Sequence, residues 1–212
     1  MGSNNLCKRR NTWCSKYKHL GGAVVGKYVV GITGASGSIY GKCVVEELVK
    51  MGHHVYVVIT EQGEKVFAYE LEQQVEEWLS VFGNAVERCR EDDFFTPIAS
   101  GSFPLDGMVV VPCSMGSLAK IAHGISDNLL IRSSDVCIKE KKKLVLVPRE
   151  TPLSAVHLEN MLTLSRLGVE MVPPMPEFYS KPNSIEDMVA STVGRILQRL
   201  GIANTLYMKW QS

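Results

Sequence analysis

From Lys27 onward, short apolar runs rich in β-branched residues alternate with longer amphipathic segments, and this alternation narrows the possible folds more than any other feature. Tyr28 to Thr33, His54 to Thr60, Gly107 to Pro112, Leu144 to Pro148 and Val169 to Val172 are each nearly uniformly apolar. A strand with one wet face would alternate polar and apolar residues, so these runs read as strands covered on both faces. The segments between them supply the cover. Ile39 to Met51 carries Val44, Val45 and Leu48 at helical spacing, with Gly52 placed to end a helix in a left-handed conformation. Ser184, with Asp187 three residues on, opens a last helix that runs to Leu200 and is closed by Gly201. The pattern predicts one α/β domain, an open and mainly parallel sheet with helices on both faces. A chain of 212 residues with 45% hydrophobic content is long enough for one such core and too short for two large ones.

Lys and Arg number 23 against 22 Asp and Glu, and the resulting net charge of +1 gives no field that would attract nucleic acid or a membrane surface. A small ligand is expected instead. The cysteines at 7, 14, 43, 89, 113 and 137 form no Cys-x-x-Cys pair and have no His spaced to complete a zinc site, which points to reduced thiols in a reducing compartment. No run approaches the ~18 apolar residues of a membrane span. Residues 1–26 hold Lys8, Arg9, Arg10, Lys16 and Lys18 without an acid. They read either as a flexible basic extension of a domain spanning 27–212 or as a targeting peptide. The expected location is cytoplasmic, or mitochondrial if the extension is a transit peptide.

Two strand ends carry chemistry. The run ending at Thr33 passes directly into Gly34-Ala35-Ser36-Gly37-Ser38 and a helix, and amides at a helix N-terminus attract anions. Glycine lets a backbone approach a phosphate, and the two serines add hydroxyl donors, although a plain tight turn has the same composition. The run ending at Pro112 passes into Cys113-Ser114-Met115-Gly116-Ser117 and a second helix. In an open parallel sheet, ligands sit beyond the carboxyl ends of the strands, so both loops can line one pocket. Cys113 has no neighbouring base and reads as a small buried residue. His53, His54, His123 and His157 lack ligand spacing, and His157 reads as support for helix packing.

At this point a resemblance becomes specific. Gly34-Ala35-Ser36-Gly37 with Tyr40-Gly41, Ala99-Ser100-Gly101-Ser102, Pro112-Cys113-Ser114, Arg132-Ser133-Ser134-Asp135-Val136, Lys139-Glu140, Leu146-Val147-Pro148-Arg149-Glu150-Thr151-Pro152, His157-Leu158-Glu159-Asn160-Met161 and Phe178-Tyr179 are similar to the motifs of UbiX-type flavin prenyltransferases. The match runs from Lys27 to the C-terminus. It implies a Rossmann-like flavoprotein that moves a dimethylallyl group from dimethylallyl phosphate to N5 and C6 of reduced FMN. The prenylated flavin then serves a separate UbiD-type decarboxylase. The family assembles as homo-oligomers, commonly dodecamers, and on that basis Met161 to Leu167 and Pro173 to Phe178 are expected to face neighbouring copies.

Residue roles follow from the same resemblance. Gly34, Ala35, Ser36, Thr60, Ser100, Ser114, Met115, Gly116, Ser117, Arg132 and Arg149 would form the flavin shell, with Thr60 standing where the family often has Ser. Lys139, Arg149 and Arg195 would hold the donor phosphate, with Tyr179 adding a phenolic donor and Trp210 an aromatic wall. Arginine suits bidentate contact with phosphate oxygens. Glu150 is the candidate acid-base residue, given partial burial to raise its carboxyl pKa, and Ser36 and Glu70 complete the catalytic set. On spacing alone, Glu70 is an ordinary exposed helix carboxylate, Lys139 opens a solvated charge cluster, Arg195 sits on an exposed helix face and Glu150 pairs with a nearby Arg. No Asp-rich magnesium-diphosphate motif occurs, in keeping with a monophosphate donor and a reaction without a metal. An FMN-dependent decarboxylase of cysteine-containing substrates would carry a His near the first helix, and none lies between Lys27 and Gly52. A flavin-storage protein would leave the cationic set without a purpose.

Overall fold

A computed structural model describes residues 25–207, in which six parallel strands form one sheet in the order β3-β2-β1-β4-β5-β6. The strands are β1 (Lys27–Ile32), β2 (His54–Ile59), β3 (Val86–Cys89), β4 (Gly107–Cys113), β5 (Lys143–Pro148) and β6 (Glu170–Met171). The chain builds outward from β1 to β3 on one side, then crosses back to lay β4, β5 and β6 on the other. The break in order therefore falls between β1 and β4, where a crevice opens beyond the carboxyl ends of the strands.

Seven helices cover the sheet: α1 (Ser38–Lys50), α2 (Glu61–Leu71), α3 (Val75–Ser80), α4 (Met115–Ala122), α5 (Leu129–Lys139), α6 (Ala155–Arg166) and α7 (Ile185–Arg199). Two cores form because successive side chains of a strand point to opposite faces. Val30, Ile32, Val57 and Val145 meet Val44 and Leu48 of α1, Phe67 of α2, Trp78 of α3 and Val193 and Ile196 of α7. Val29, Val58, Val110 and Leu146 meet Leu118 of α4, Leu130 of α5 and Leu164 of α6. Every β4 residue is buried, which explains the absence of alternation in that run.

Local signals hold, with three corrections. Gly52 takes φ +85° and Gly201 φ +86°, closing α1 and α7 as expected. Ser184 caps α7 by accepting from the Asp187 N–H at 3.1 Å, but the Asp187 carboxylate accepts from the Asn183 N–H at 2.9 Å rather than from Ser184. His157 works at a helix end, where Nδ1 accepts from the Ser154 N–H and the Ser154 hydroxyl accepts from the His157 N–H. Strand β3 is absent from the sequence reading because Val-Glu-Arg-Cys has two exposed charged residues, as suits an edge strand. Cys43, Cys89, Cys113 and Cys137 are free thiols. Among the described residues no helix is long and apolar enough to cross a membrane, and no group of His, Cys, Asp or Glu is placed to hold a metal ion.

Candidate active site

The carboxyl ends of β1, β4 and β5 are tied together by backbone and hydroxyl bonds. Thr33, buried just beyond β1, donates its hydroxyl to Pro112 O at 2.8 Å and accepts from the Ser114 N–H at 2.8 Å. One hydroxyl thus uses both its donor and an acceptor site to pin the first loop to the second. On the other side, the Arg149 N–H donates to Cys113 O at 3.1 Å. Gly34 to Ser38, Ser114 to Ser117 and Arg149-Glu150 therefore stand at three adjacent strand ends, with Thr60 at the end of β2 beside them.

The first loop is not the open anion seat that its sequence predicts. Its amides already hold an anion, the carboxylate of Glu70 from the last turn of α2. The Gly37 N–H lies 3.1 and 3.0 Å from the two carboxylate oxygens, and the Ser38 N–H donates to one of them at 2.8 Å. Burial pushes the Glu70 carboxyl up, but hydrogen bonds from the Ser36 hydroxyl and the Ser38 and Gly37 amides outweigh it and hold the group below the ordinary glutamate range. Glu70 is half-buried and placed, rather than the exposed helix carboxylate that spacing alone suggests.

The second loop remains able to receive an anion. Ser114 caps α4, accepting from the Ser117 N–H at 3.2 Å and donating to the Ser117 hydroxyl at 3.0 Å. Gly116 in the first turn faces open space, since a Cβ built there meets nothing within 4 Å. Thr60 likewise caps α2, its hydroxyl oxygen accepting from the Gly63 N–H at 3.1 Å. Cys113 is buried, and burial pushes its thiol up to about 12, so it is a packing residue as read from the sequence. Glu150 is exposed and accepts from the Thr151 N–H at 3.0 Å. Among the described residues it has no arginine partner, and a single chain does not supply the partial burial expected of it.

Of the two other groups of expected site residues, one runs along α5, with Arg132 in its first turn at the site end and Lys139 at the far end, and one stands beside β6 and α7. Ser100, Arg132 and Lys139 follow the length of α5. The Arg132 guanidinium donates to Ala99 O at 3.2 Å and to the Asp135 carboxylate at 2.9 Å, Ser100 shares a 2.9 Å hydroxyl contact with Ser102, and Lys139 pairs with Glu140. Lys139 stands seven residues beyond Arg132, roughly 10 Å down the helix, close to where β5 begins beside β4 at Gly107↔Lys143. Because α5 runs back from the site end to the opposite end of the sheet, Lys139 cannot join Arg149 and Glu150 within one chain.

The third group borders β6 and α7. A cavity of about 380 Å³ is lined by Glu170, Val172, Met175, Glu177, Thr192 and Arg195, among others. Arg195 is exposed as its spacing suggests, stacks on Tyr207 at 5.4 Å and donates to Gln198 at 3.1 Å. Tyr179 donates its hydroxyl to Glu177 at 2.5 Å, and that hydrogen bond is the main reason its phenol is pushed up. Trp210 lies outside the described residues. Neither Thr33 nor Glu177 stands out in the sequence. Thr33 reads there only as the last residue of a strand, and Glu177 as one acid in a proline-rich loop.

A model of the Flavoprotein family matches residues 21–197. The flavin prenyltransferase UbiX of Halalkalibacterium halodurans is 48% identical over 192 residues, covering 87% of this chain and 93% of that protein. The chain belongs to the UbiX flavin prenyltransferase family. The UbiX of Methanocaldococcus jannaschii is 45% identical over 184 residues, 87% of this chain and 98% of its own length. Among solved structures, AnUbiX (PadA1) in complex with FMN and dimethylallyl pyrophosphate is 38% identical with a TM-score of 0.84, covering 89% of this chain and 99% of that one. A dodecameric FMN-dependent UbiX-like decarboxylase from Escherichia coli O157:H7 is 40% identical with a TM-score of 0.83, covering 88% and 100%. The peptidyl-cysteine decarboxylase EpiD, 19% identical at a TM-score of 0.57, shares the fold.

Proposed function

We propose that this UbiX-family chain, with residues 27–212 as its catalytic domain, transfers a dimethylallyl group from dimethylallyl phosphate to reduced FMN. The observation that carries this reading is the joining of three neighbouring strand ends, by Thr33 and by the Arg149 N–H, into one edge bearing hydroxyls, a cation and two carboxylates. The donor set suits a flavin phosphate. The start of α4 offers amides beside Ser114 and Ser117, Gly116 leaves room for close approach, and Arg149 adds a guanidinium. Gly34, Ala35, Ser36, Thr60 and Met115 border the same edge. When bound, reduced FMN supplies the nucleophilic positions N5 and C6.

The chain's own residues would serve the leaving group and the protons. As the allylic C–O bond breaks, its electron pair leaves with phosphate, and Arg149, Arg195 and Lys139 stabilise the added charge while Tyr179 donates a hydrogen bond. Glu150 hands a proton to the departing phosphate and takes up the one released at C6. One C–N and one C–C bond form, one proton each is lost from N5 and C6, and one proton each goes to the alkene carbon and to phosphate. No oxidant or reductant is consumed. Glu70 holds Ser36 and the Gly37 and Ser38 amides in place. Arg132, at the site end of α5, with Ser100 next to its Ala99 partner, would serve the flavin of its own chain, whereas Lys139, Tyr179 and Arg195 would reach a site from neighbouring copies in a homo-oligomer, a dodecamer by likeness to the E. coli protein. The product would be consumed by a UbiD-type decarboxylase.

The test is incubation of the full chain with reduced FMN and dimethylallyl phosphate, followed by mass measurement of the released flavin. A flavin heavier by one five-carbon unit is expected. Unchanged flavin, or carbon dioxide evolved from a supplied aromatic acid by this chain alone, would reject the transferase.

A further inference from the structure

The cavity beside β6 contains a negative charge that prenyl transfer does not require. Its arginines differ in state: Arg199 is spent on a two-point ion pair with Glu170, with contacts of 2.7 to 3.0 Å, whereas Arg195 has no carboxylate partner among the described residues. Glu177 lines the same cavity. One of its oxygens accepts from the Ser191 hydroxyl on α7 and the other from the Tyr179 hydroxyl. With Glu170 and Arg199 cancelled, the wall presents one available cation, one fixed carboxylate and apolar surface from Met171, Val172, Pro173 and Met175.

Taking as given that Tyr179 and Arg195 receive the donor phosphate, we propose that Glu177 is a specificity-determining residue, admitting a prenyl monophosphate and disfavouring a prenyl diphosphate. A single phosphoryl group can meet Arg195 while Glu177 keeps its two hydroxyl partners. A second phosphoryl group brings more negative charge into the same small cavity and must lie against the carboxylate, where like charges repel, or take Tyr179 from it. The Tyr179 hydroxyl has one hydrogen to donate, so Glu177 and a phosphate oxygen compete for it. Ser191, which binds the other carboxylate oxygen, keeps Glu177 from swinging away.

The experiment compares kcat/KM for dimethylallyl monophosphate and diphosphate, with reduced FMN as acceptor, in the full-length wild type and in Glu177→Gln, Glu177→Asp and Arg195→Gln. The wild type should prefer the monophosphate. Glu177→Gln should move the ratio at least about tenfold toward the diphosphate, whereas Glu177→Asp, which keeps the charge, should retain most of the preference. An unchanged ratio in Glu177→Gln while Arg195→Gln raises the monophosphate KM overturns the role of Glu177 and leaves the phosphate site standing. An unmoved KM in Arg195→Gln removes the phosphate site and the proposal with it. Inhibition of the wild type by inorganic phosphate and pyrophosphate needs no variant. Phosphate should inhibit more strongly, and the reverse order would also overturn the proposal.

Discussion

Single side chains hold this site together across long stretches of sequence. Glu70 meets Gly37 and Ser38 from 33 and 32 residues away and supplies the negative charge that the start of α1 favours. Glu70→Gln should lower stability by about 1–2 kcal/mol, the upper range for a charge at a helix end, as read from denaturant midpoints. The pH dependence has a definite sign. Folding holds this carboxyl below its unfolded value, so its contribution is fully present above the ordinary glutamate range and is lost as pH falls through the folded value. Glu70→Gln should therefore flatten the acid limb of the stability profile, and an equally steep limb would count against the carboxylate's role. Thr33→Val strands the part-buried Ser114 N–H, while Pro112 O keeps the Thr33 backbone N–H at 3.2 Å; the change costs about 1–3 kcal/mol and loosens the join between the loops. Its FMN dissociation constant should rise together with the loss in unfolding free energy. Thr33 was not legible as a site residue in the sequence, and Glu70 was marked there only by resemblance, because the partners that define both are tertiary.

At the scale of elements, the reading from sequence was strongest where one residue type has few other uses. The apolar runs marked the four buried strands β1, β2, β4 and β5 and the half-buried edge strand β6, and Gly52 and Gly201 marked helix ends at positive φ. It failed at β3, whose burial is one-sided, and at the start of α1, where local amides suggested a ligand but a distant helix provided the anion. Gly41 shows a constraint between the two. It resembled a family motif in sequence, and in the fold a Cβ at Gly41 would lie 2.5 Å from Val111 O on β4 and 3.0 Å from Ile32. Helix α1 lies this close to the sheet only because the position lacks a side chain. Gly41→Ala should improve intrinsic helix propensity yet destabilise the protein by about 1–3 kcal/mol through overpacking. Thermal unfolding checks this, and a gain in stability would show that α1 can move away at no cost.

The scale of the whole molecule explains what a single chain leaves unfinished. Lys139 sits at the opposite end of α5 from the strand-end cluster, and Glu150 is exposed where the acid-base role proposed for it calls for shelter. Nearby, Leu158 and Leu162 on α6 are 51% and 50% exposed, and Phe178 is 71% exposed. A cation in the wrong place, an unsheltered acid and uncovered apolar side chains have one common remedy, the packing of another copy against this surface. If Lys139 serves a neighbour's site, Lys139→Ala and Glu150→Ala subunits carry defects in different contributions to each site. Each variant alone should be inactive or nearly so. Hybrid oligomers made by co-expression would contain some sites in which native Lys139 from one subunit meets native Glu150 from another. Those hybrids should recover prenylated-flavin formation, whereas a mixture of separately assembled variants should not. Recovery absent from hybrids of confirmed mixed composition would confine Lys139 to its own chain, where the course of α5 keeps it from the phosphate.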